Sequence, residues 1–416
     1  MARLLPSLFS LSFHYVIVTT VFISIPRLTH SLTLDADIEV LSALKRGLDP
    51  NSISPTSYLS TWDFNLDPCQ AMGGQFLGIL CSNPLDNSSQ RITALDLDGI
   101  GYDGFLTPSI GNLTELTILS LDKNKFRGPF PGTLSNLKKL TRLSLVDNYF
   151  TGPIPRAIPS LKNLEYLDLS GNSFSGSIPT NKISGLRSLT YLSLSNNGFT
   201  GTIPDLRGLW QLQTLDLGTN QFHGNFPIFP VRLRSLSLSH NLLSGHISPI
   251  KRLTHLRRLD ISDNRFSDTI SKDILLLPRL VHLNVSLNRF TAIETVNFFG
   301  EQTPLEVLDA ENNHFRGNLP VNLATIQNLS TLNLAHNLFS GPIPSEYGDK
   351  PGRPWRALNL DNNFLSGNLP PEFIRHATSI KIRLANNCLR CPRDIPLCRR
   401  RQRSASECVK KNNRGG

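Results

Sequence analysis

Leu140-Thr141-Arg142-Leu143-Ser144-Leu145-Val146-Asp147-Asn148-Tyr149-Phe150-Thr151-Gly152-Pro153-Ile154-Pro155 is the stretch on which the fold turns. In extended chain Leu143 and Leu145 point to one face, and Arg142 and Ser144 to the other. The pattern L-x-x-L-x-L-x-x-N recurs. Its asparagines stand at 124, 148, 172, 197, 220, 241, 264, 288, 313, 337, 363 and 387. Their spacings are 24, 24, 25, 23, 21, 23, 24, 25, 24, 26 and 24. A degenerate copy precedes them, with Ile92, Leu95 and Leu97, and Ile100 in the Asn place. A fixed period of this length means one small structural unit per repeat, about thirteen in all.

Each unit supplies one short strand, and successive strands stack in parallel about 4.8 Å apart. The leucines fill the interior. No unit can bury its apolar face alone, so the array is stable only as a stack. The Asn sits where the chain turns inward, and its amide can donate to and accept from the backbone of neighbouring turns. Left unsatisfied there, it costs about 1–3 kcal/mol, so the Asn ladder reads as structural. Phe126, Phe150, Phe174, Phe199, Phe222 and Phe266 follow two residues on and form an apolar spine, which accounts for 22 Phe beside 7 Tyr. The turn Gly and the Pro then suit a second extended segment beside the main sheet.

The whole unit, N-x-F-x-G-x-I-P, as in Gly341-Pro342-Ile343-Pro344, resembles the leucine-rich repeat of plant extracellular proteins. These are receptor-like kinases, receptor-like proteins and polygalacturonase-inhibiting proteins. The resemblance covers roughly residues 35–398. It implies an α/β solenoid: a right-handed leucine-rich-repeat superhelix with a parallel concave β-sheet, about 13 repeats and disulfide-capped ends. Ile38, Leu41, Leu44 and Leu48 fit one face of a helix. With Trp62, Asp67-Pro68-Cys69 and Gly78-Ile79-Leu80-Cys81, this region is similar to the family's N-terminal cap. That likeness implies a Cys69–Cys81 disulfide, with Phe76 in a place usually held by Trp. Cys388, Cys391, Cys398 and Cys408 read as a C-terminal cap, and four cysteines allow three pairings.

The division expected is a signal peptide over 1–31, an N-terminal cap over 32–91, repeats over 92–387, and a cysteine cap with a basic tail over 388–416. Arg3 gives a positive start, the run Tyr15–Ile25 is apolar, and Thr29 and Ser31 are small residues ahead of a cleavage point. No later segment is apolar for long enough to span a bilayer. The expected location is therefore extracellular: the apoplast or cell wall, or the outer face of the plasma membrane. The six cysteines should be oxidised there. Sequons stand at Asn87, Asn112, Asn284 and Asn328. Asn112 and Asn328 fall on loops, whereas Asn284 occupies an outward strand position.

Other motifs dissolve into the repeat. Gly99-Ile100-Gly101-Tyr102-Asp103-Gly104 spells GxGxxG, but Ile100 and Gly104 fall on the repeat's own Asn and Gly positions, and no helix should open behind it. Cys388-Leu389-Arg390-Cys391 would suggest zinc in the cytosol; behind a leader it reads as disulfide chemistry. There is no HExxH or GxSxG, and no catalytic residue, cofactor site or metal site is assigned.

Function in such a stack lies on the outward strand positions. Small polar residues dominate there. Tyr166 and Tyr191 stand side by side on adjacent strands, with Asp168, Ser193, Asp216, Arg258 and Asp260 beside and beyond them. An aromatic pair flanked by carboxylates suits a peptide or protein carrying a basic or polar segment. The expected role is a secreted recognition module, acting with a receptor kinase ectodomain in plant extracellular signalling or defence. The alternatives are an inhibitor of a cell-wall hydrolase such as polygalacturonase, or a pectin-associated cell-wall protein. A glycan on Asn284 would confine a partner to the region from Tyr166 to Asp260.

Net charge is +10, and from Cys388 onward nine Lys or Arg stand against two acids. Arg399, Arg400, Arg401, Arg403, Lys410, Lys411 and Arg414 form a segment too polar to fold alone, suited to pectin or anionic lipid rather than nucleic acid. Finally, Ser248, Ser271 and Thr295 replace the usual Pro, and Asp268 and Ala292 the turn Gly. The second extended segment should therefore weaken or vanish over Ser248–Thr295.

Overall fold

A computed structural model describes residues 33–82, 88–179, 183–294, 303–350, 352–375, 381–391 and 402–412. The expected leader, Asn87, Cys398, Arg399, Arg400, Arg401 and Arg414 lie outside the described residues.

The leucine alternation builds one long sheet of fourteen strands. Thirteen, from Ile92–Asp96 to Lys381–Arg383, run in parallel, each beside the strand one repeat before it. Register is constant: Leu119 pairs Leu143, Leu143 pairs Leu167, and Leu167 pairs Leu192. The paired leucines are all buried. A one-residue slip would turn that whole row to solvent, so the pattern fixes the register.

The Asn ladder closes its bonds as the sequence predicts. Asn148 Oδ1 accepts from Phe126 N at 3.0 Å, and its amide donates to the carbonyls of Leu121, Leu145 and Val146. Each Asn thus ties its own turn to the one before. The residue preceding it is left-handed in nearly every turn, as at Asp147 (φ 52°) and Asn196 (φ 53°). Behind the ladder, the rings of Phe126, Phe150, Phe174, Phe199 and Phe222 stack with centroids 6.0–6.2 Å apart. Tyr102 occupies the first rung of this spine and is fully buried.

The expected break in the second sheet is overturned. Nine strands run without interruption from Asp103–Phe105 to Arg289–Ile293, straight through Leu242–Gly245 and Arg265–Ile270. Losing Pro does not weaken the edge. Thr269 and Ile270, ahead of Ser271, continue the pairing onto Ala292 and Ile293 past a bulge. Asp268 takes the left-handed turn that Gly takes elsewhere (φ 94°). The discontinuity among the described residues comes later. A separate four-stranded ladder runs from Arg316–Gly317 to Cys388–Arg390.

Both ends are sealed. The helix Asp35–Arg46 buries Val40, Leu41 and Leu44, with Leu48 just beyond it, while Ile38 is only half-buried. Asp37 is fully buried on the same face. Arg91 donates to it through two nitrogens at 2.9 and 3.0 Å, and Ile92 N through a third bond at 3.0 Å. The strand Ile79–Cys81 pairs antiparallel to the first parallel strand and covers its edge. Cys69 and Cys81 are bonded, and Phe76 stacks on Trp62. At Gly104 a Cβ would stand 2.4 Å from the Gly47 carbonyl oxygen, so the GxGxxG string serves close packing of the cap and leads into a strand.

At the far end the pairing is Cys388–Cys408, and Cys391 is disulfide-bonded to a partner outside the described residues. The tail does not stay wholly apart. Ala405–Asn412 is helical, and Gln402 and Arg403 bond the last turn where another repeat would. Gln402 Oε1 accepts from Asn387 N at 3.1 Å, and Arg403 N donates to Asn387 O at 2.7 Å. The Arg403 side chain donates to Asn363 O and lies over Phe364, so it belongs to the cap rather than to a free basic cluster.

Candidate functional site: the solvent face of the long sheet

One column of this face reads Arg142, Tyr166, Tyr191, Thr214, Ser235, Arg258 and His282, on successive strands in direct register. Parallel pairing sets these side chains about 4.8 Å apart. The Tyr166 and Tyr191 rings stack, with centroids 4.3 Å apart and planes 7° apart. The Arg142 guanidinium lies 3.8 Å from the Tyr166 centroid, on the side away from Tyr191. Arg142 was absent from the site read from sequence, although it stands in the same repeat position one unit earlier.

The neighbouring column carries the carboxylates, and its role is partly structural. Asp168 is buried. One of its oxygens accepts from Ser170 N and Ser170 Oγ, and the other from the hydroxyls of both Tyr166 and Tyr191 at 3.2 Å. It is therefore a pillar under the aromatic pair rather than a free anion. Asp216 Oδ1 accepts from Gly218 N, and Asp260 Oδ1 from Ser262 N and Oγ. Asn284, Asp309, Asn333 and Asn359 make the same bond to the residue two positions on. This Asx turn ends each strand, which explains the residue type without reference to a ligand. Asp216 and Asp260 remain half-buried, Arg258 is exposed, and Ser193 is buried against Ser195.

Burial raises the Tyr166 and Tyr191 phenols above their ordinary pKa, and the Asp168 charge raises them further. Both thus stay neutral donors at physiological pH. Burial also raises the Asp309 carboxyl.

Tyr191 has Tyr166 on one side. On the other, Thr214 and Ser235 are small, and the next large side chain is Arg258, three strands on. The result is a trough about 14 Å across, from three inter-strand steps, walled by Tyr191 and Arg258. Asn284 lies beyond its far wall and is half-buried, its Oδ1 accepting from the Ser286 hydroxyl of its own sequon at 2.7 Å. Asn112 is exposed at the end of the 3₁₀ turn Pro108–Asn112, and Asn328 Nδ2 donates to Thr303 O. Among the described residues no group of three or more His, Cys, Asp or Glu is placed to hold a metal ion, and no helix is long and apolar enough to cross a membrane.

Comparison with known proteins agrees with this architecture. Leucine-rich-repeat family profiles match residues 114–174, 187–227, 232–253, 252–271, 328–349 and 355–375. Over 140 residues the chain is 33% identical to Receptor-like protein 13 of Arabidopsis thaliana, a match spanning 33% of this chain and 11% of that protein. Among solved structures, the plant peptide hormone receptor RGFR1 in complex with RGF2 aligns with a TM-score of 0.50 at 25% identity. That alignment covers 70% of this chain and 58% of the receptor. A plant ice-binding protein aligns at 0.52 and 26% identity, over 90% of this chain and 99% of its own. The Leptospira interrogans repeat protein LIC12759 aligns at 0.58 and 29% identity, over 77% and 80%. With thirteen strands in register, an Asn on every turn but the first and repeat profiles along the chain, the protein is a leucine-rich-repeat solenoid that is similar, over part of its length, to plant receptor-like proteins and receptor ectodomains.

Proposed function

We propose that the chain is an extracellular recognition module. It holds a short peptide or an extended protein segment in the trough between Tyr191 and Arg258, and works with a receptor kinase ectodomain that carries the signal. The observation that carries this reading is the Arg142–Tyr166–Tyr191 stack, with the small Thr214 and Ser235 on the two strands after it. Rigid stacked aromatics offer contact area with little entropy left to lose on binding. A ligand side chain laid on the free face of Tyr191 sits over Thr214 and Ser235. Its polar groups then reach the carboxylates of Asp216 and Asp260, which favours a basic or amide-rich segment. The similarity to a hormone receptor solved with its hormone supports the binding mode in kind.

The test is capture of extracellular partners on the tagged mature chain and on a Thr214→Arg, Ser235→Arg variant whose trough is filled. A receptor kinase or peptide retained by the parent and lost from the variant supports the reading. A wall-degrading hydrolase lost in the same way would make the chain an inhibitor. Retention of pectin alone would make it a wall component. Equal retention of a partner by both proteins would show that the trough is not the site.

A further inference from the structure

A second site lies on the opposite side of the solenoid, where the repeats are shortest. The spacing from Asn220 to Asn241 is 21 residues, and the two returning connections over 203–213 and 226–234 carry no helical turn. Their neighbours do, at Ile183–Gly185 and Ser248–Arg252. Pro227 and Pro230 hold the second connection extended and remove two backbone donors. The missing turns leave a notch, a pocket of about 310 Å³.

The notch is apolar and open. Trp210, Ile228 and Val231 line it while 49%, 39% and 56% exposed, and Phe229, Pro249 and Leu253 form its floor and far side. Trp62 and Trp355, by contrast, are 2% and 4% exposed. The mouth is cationic. Arg207, Arg232 and Arg252 line it, and no carboxylate does. Arg207 is occupied by Asp205, which it grips through two nitrogens. Arg232 lies 5.5 Å from the Trp210 ring centroid, and neither it nor Arg252 has an acidic partner among the described residues.

We infer that this notch binds a small amphipathic anion: an aromatic or aliphatic body set against Trp210, Phe229 and Val231, with a carboxylate, sulfonate or phosphate held by Arg232 and Arg252. The volume lies at the lower end of the range of small-molecule sites, too small for a folded partner. Apolar burial supplies the affinity, and the two guanidiniums supply the selection for charge. The inference is independent of the trough on the long sheet, which lies on the other side of the stack.

The probe is 8-anilinonaphthalene-1-sulfonate, titrated into the mature chain beside its neutral counterpart N-phenyl-1-naphthylamine. The expected result is one saturable site for the sulfonate, with energy transfer from tryptophan, and at least about tenfold weaker binding of the neutral dye, the effect of losing charge-assisted hydrogen bonds. Arg232→Gln with Arg252→Gln should weaken the sulfonate by a similar factor and leave the neutral dye unchanged. Val231→Glu should abolish both. All three positions are exposed, and unchanged circular dichroism checks that each variant folds. No saturable binding, equal binding of the two dyes, or undiminished binding to either variant would overturn the inference.

Discussion

Tyr166 and Tyr191 lie ring over ring, 4.3 Å apart and one strand of the long sheet removed from each other, although 25 residues separate them in the chain. Both hydroxyls end on the same oxygen of Asp168. Asp168→Asn leaves one acceptor oxygen for four donors: turned to the phenols it gives up Ser170, and turned to Ser170 it sets an NH2 against the phenols. This variant should lose about 1–3 kcal/mol of stability. The Tyr166→Ala, Tyr191→Ala cycle should show coupling of about 0.5–1.5 kcal/mol. Chemical denaturation of Asp168→Asn and of the four proteins of the cycle measures both. Additive losses would mean that the rings do not hold one another.

Alkaline titration should separate the phenols. Burial raises Tyr102 to about 12, and Tyr166, Tyr191 and the fully buried Tyr347 also lie above the ordinary value of 10.0. A group whose pKa is raised on folding binds its proton more tightly in the folded state. Its contribution to stability is complete below the unfolded value and is lost as pH rises through the folded one. Stability should therefore fall from about pH 10 upward. Absorbance at phenolate wavelengths should show Tyr102, Tyr166, Tyr191 and Tyr347 ionising late, together with unfolding. Ionisation of these four near pH 10 in folded protein would contradict this.

Thr219 stands in the left-handed position before Asn220 with φ 51°, a conformation that β-branched residues resist and Asn accepts. It is exposed, and Asn already fills the equivalent place at 196, 312, 362 and 386. Thr219→Asn should raise the denaturation midpoint, by about 1 kcal/mol in stability. An unchanged or lower midpoint would show that the strain is relieved elsewhere.

Asn284 looks out from the sheet one strand beyond Arg258 and Asp260. A glycan on its sequon would confine a partner to the stretch from Tyr166 to Asp260. Glycopeptide mapping should find Asn284 occupied, and Ser286→Ala should leave partner binding at Tyr191 intact. A bare Asn284 removes this boundary.

Arg399, Arg400 and Arg401 are the part of the basic tail that the proposed attachment to polygalacturonate rests on. Their joint replacement by Gln should release the protein from a polygalacturonate column at lower salt than the parent. Arg403→Gln should instead lower thermal stability, because its side chain caps Asn363 and covers Phe364. Release caused by Arg403→Gln alone, with the triple variant retained, would reverse these assignments.

Leu143, Leu145, Asn148 and Phe150 determine the fold from the sequence alone. Their roles repeat every turn, and each is set by local geometry: alternation along a strand, a buried amide that must be satisfied, a ring beneath its neighbour. The same arithmetic placed Tyr166 beside Tyr191, and it would have placed Arg142 against them. What Asp168 does there depended on the tertiary structure. Sequence gives a carboxylate's column but not how many donors converge on it, and burial beneath two phenols made it a support rather than a ligand. The Cys388–Cys408 pairing, the docking of Arg403 and the second sheet's passage through Asp268 were likewise settled by contacts in space. So was the notch at Trp210. Two shortened repeats are visible in the spacing, but the cavity they leave depends on how neighbouring turns fail to fill it.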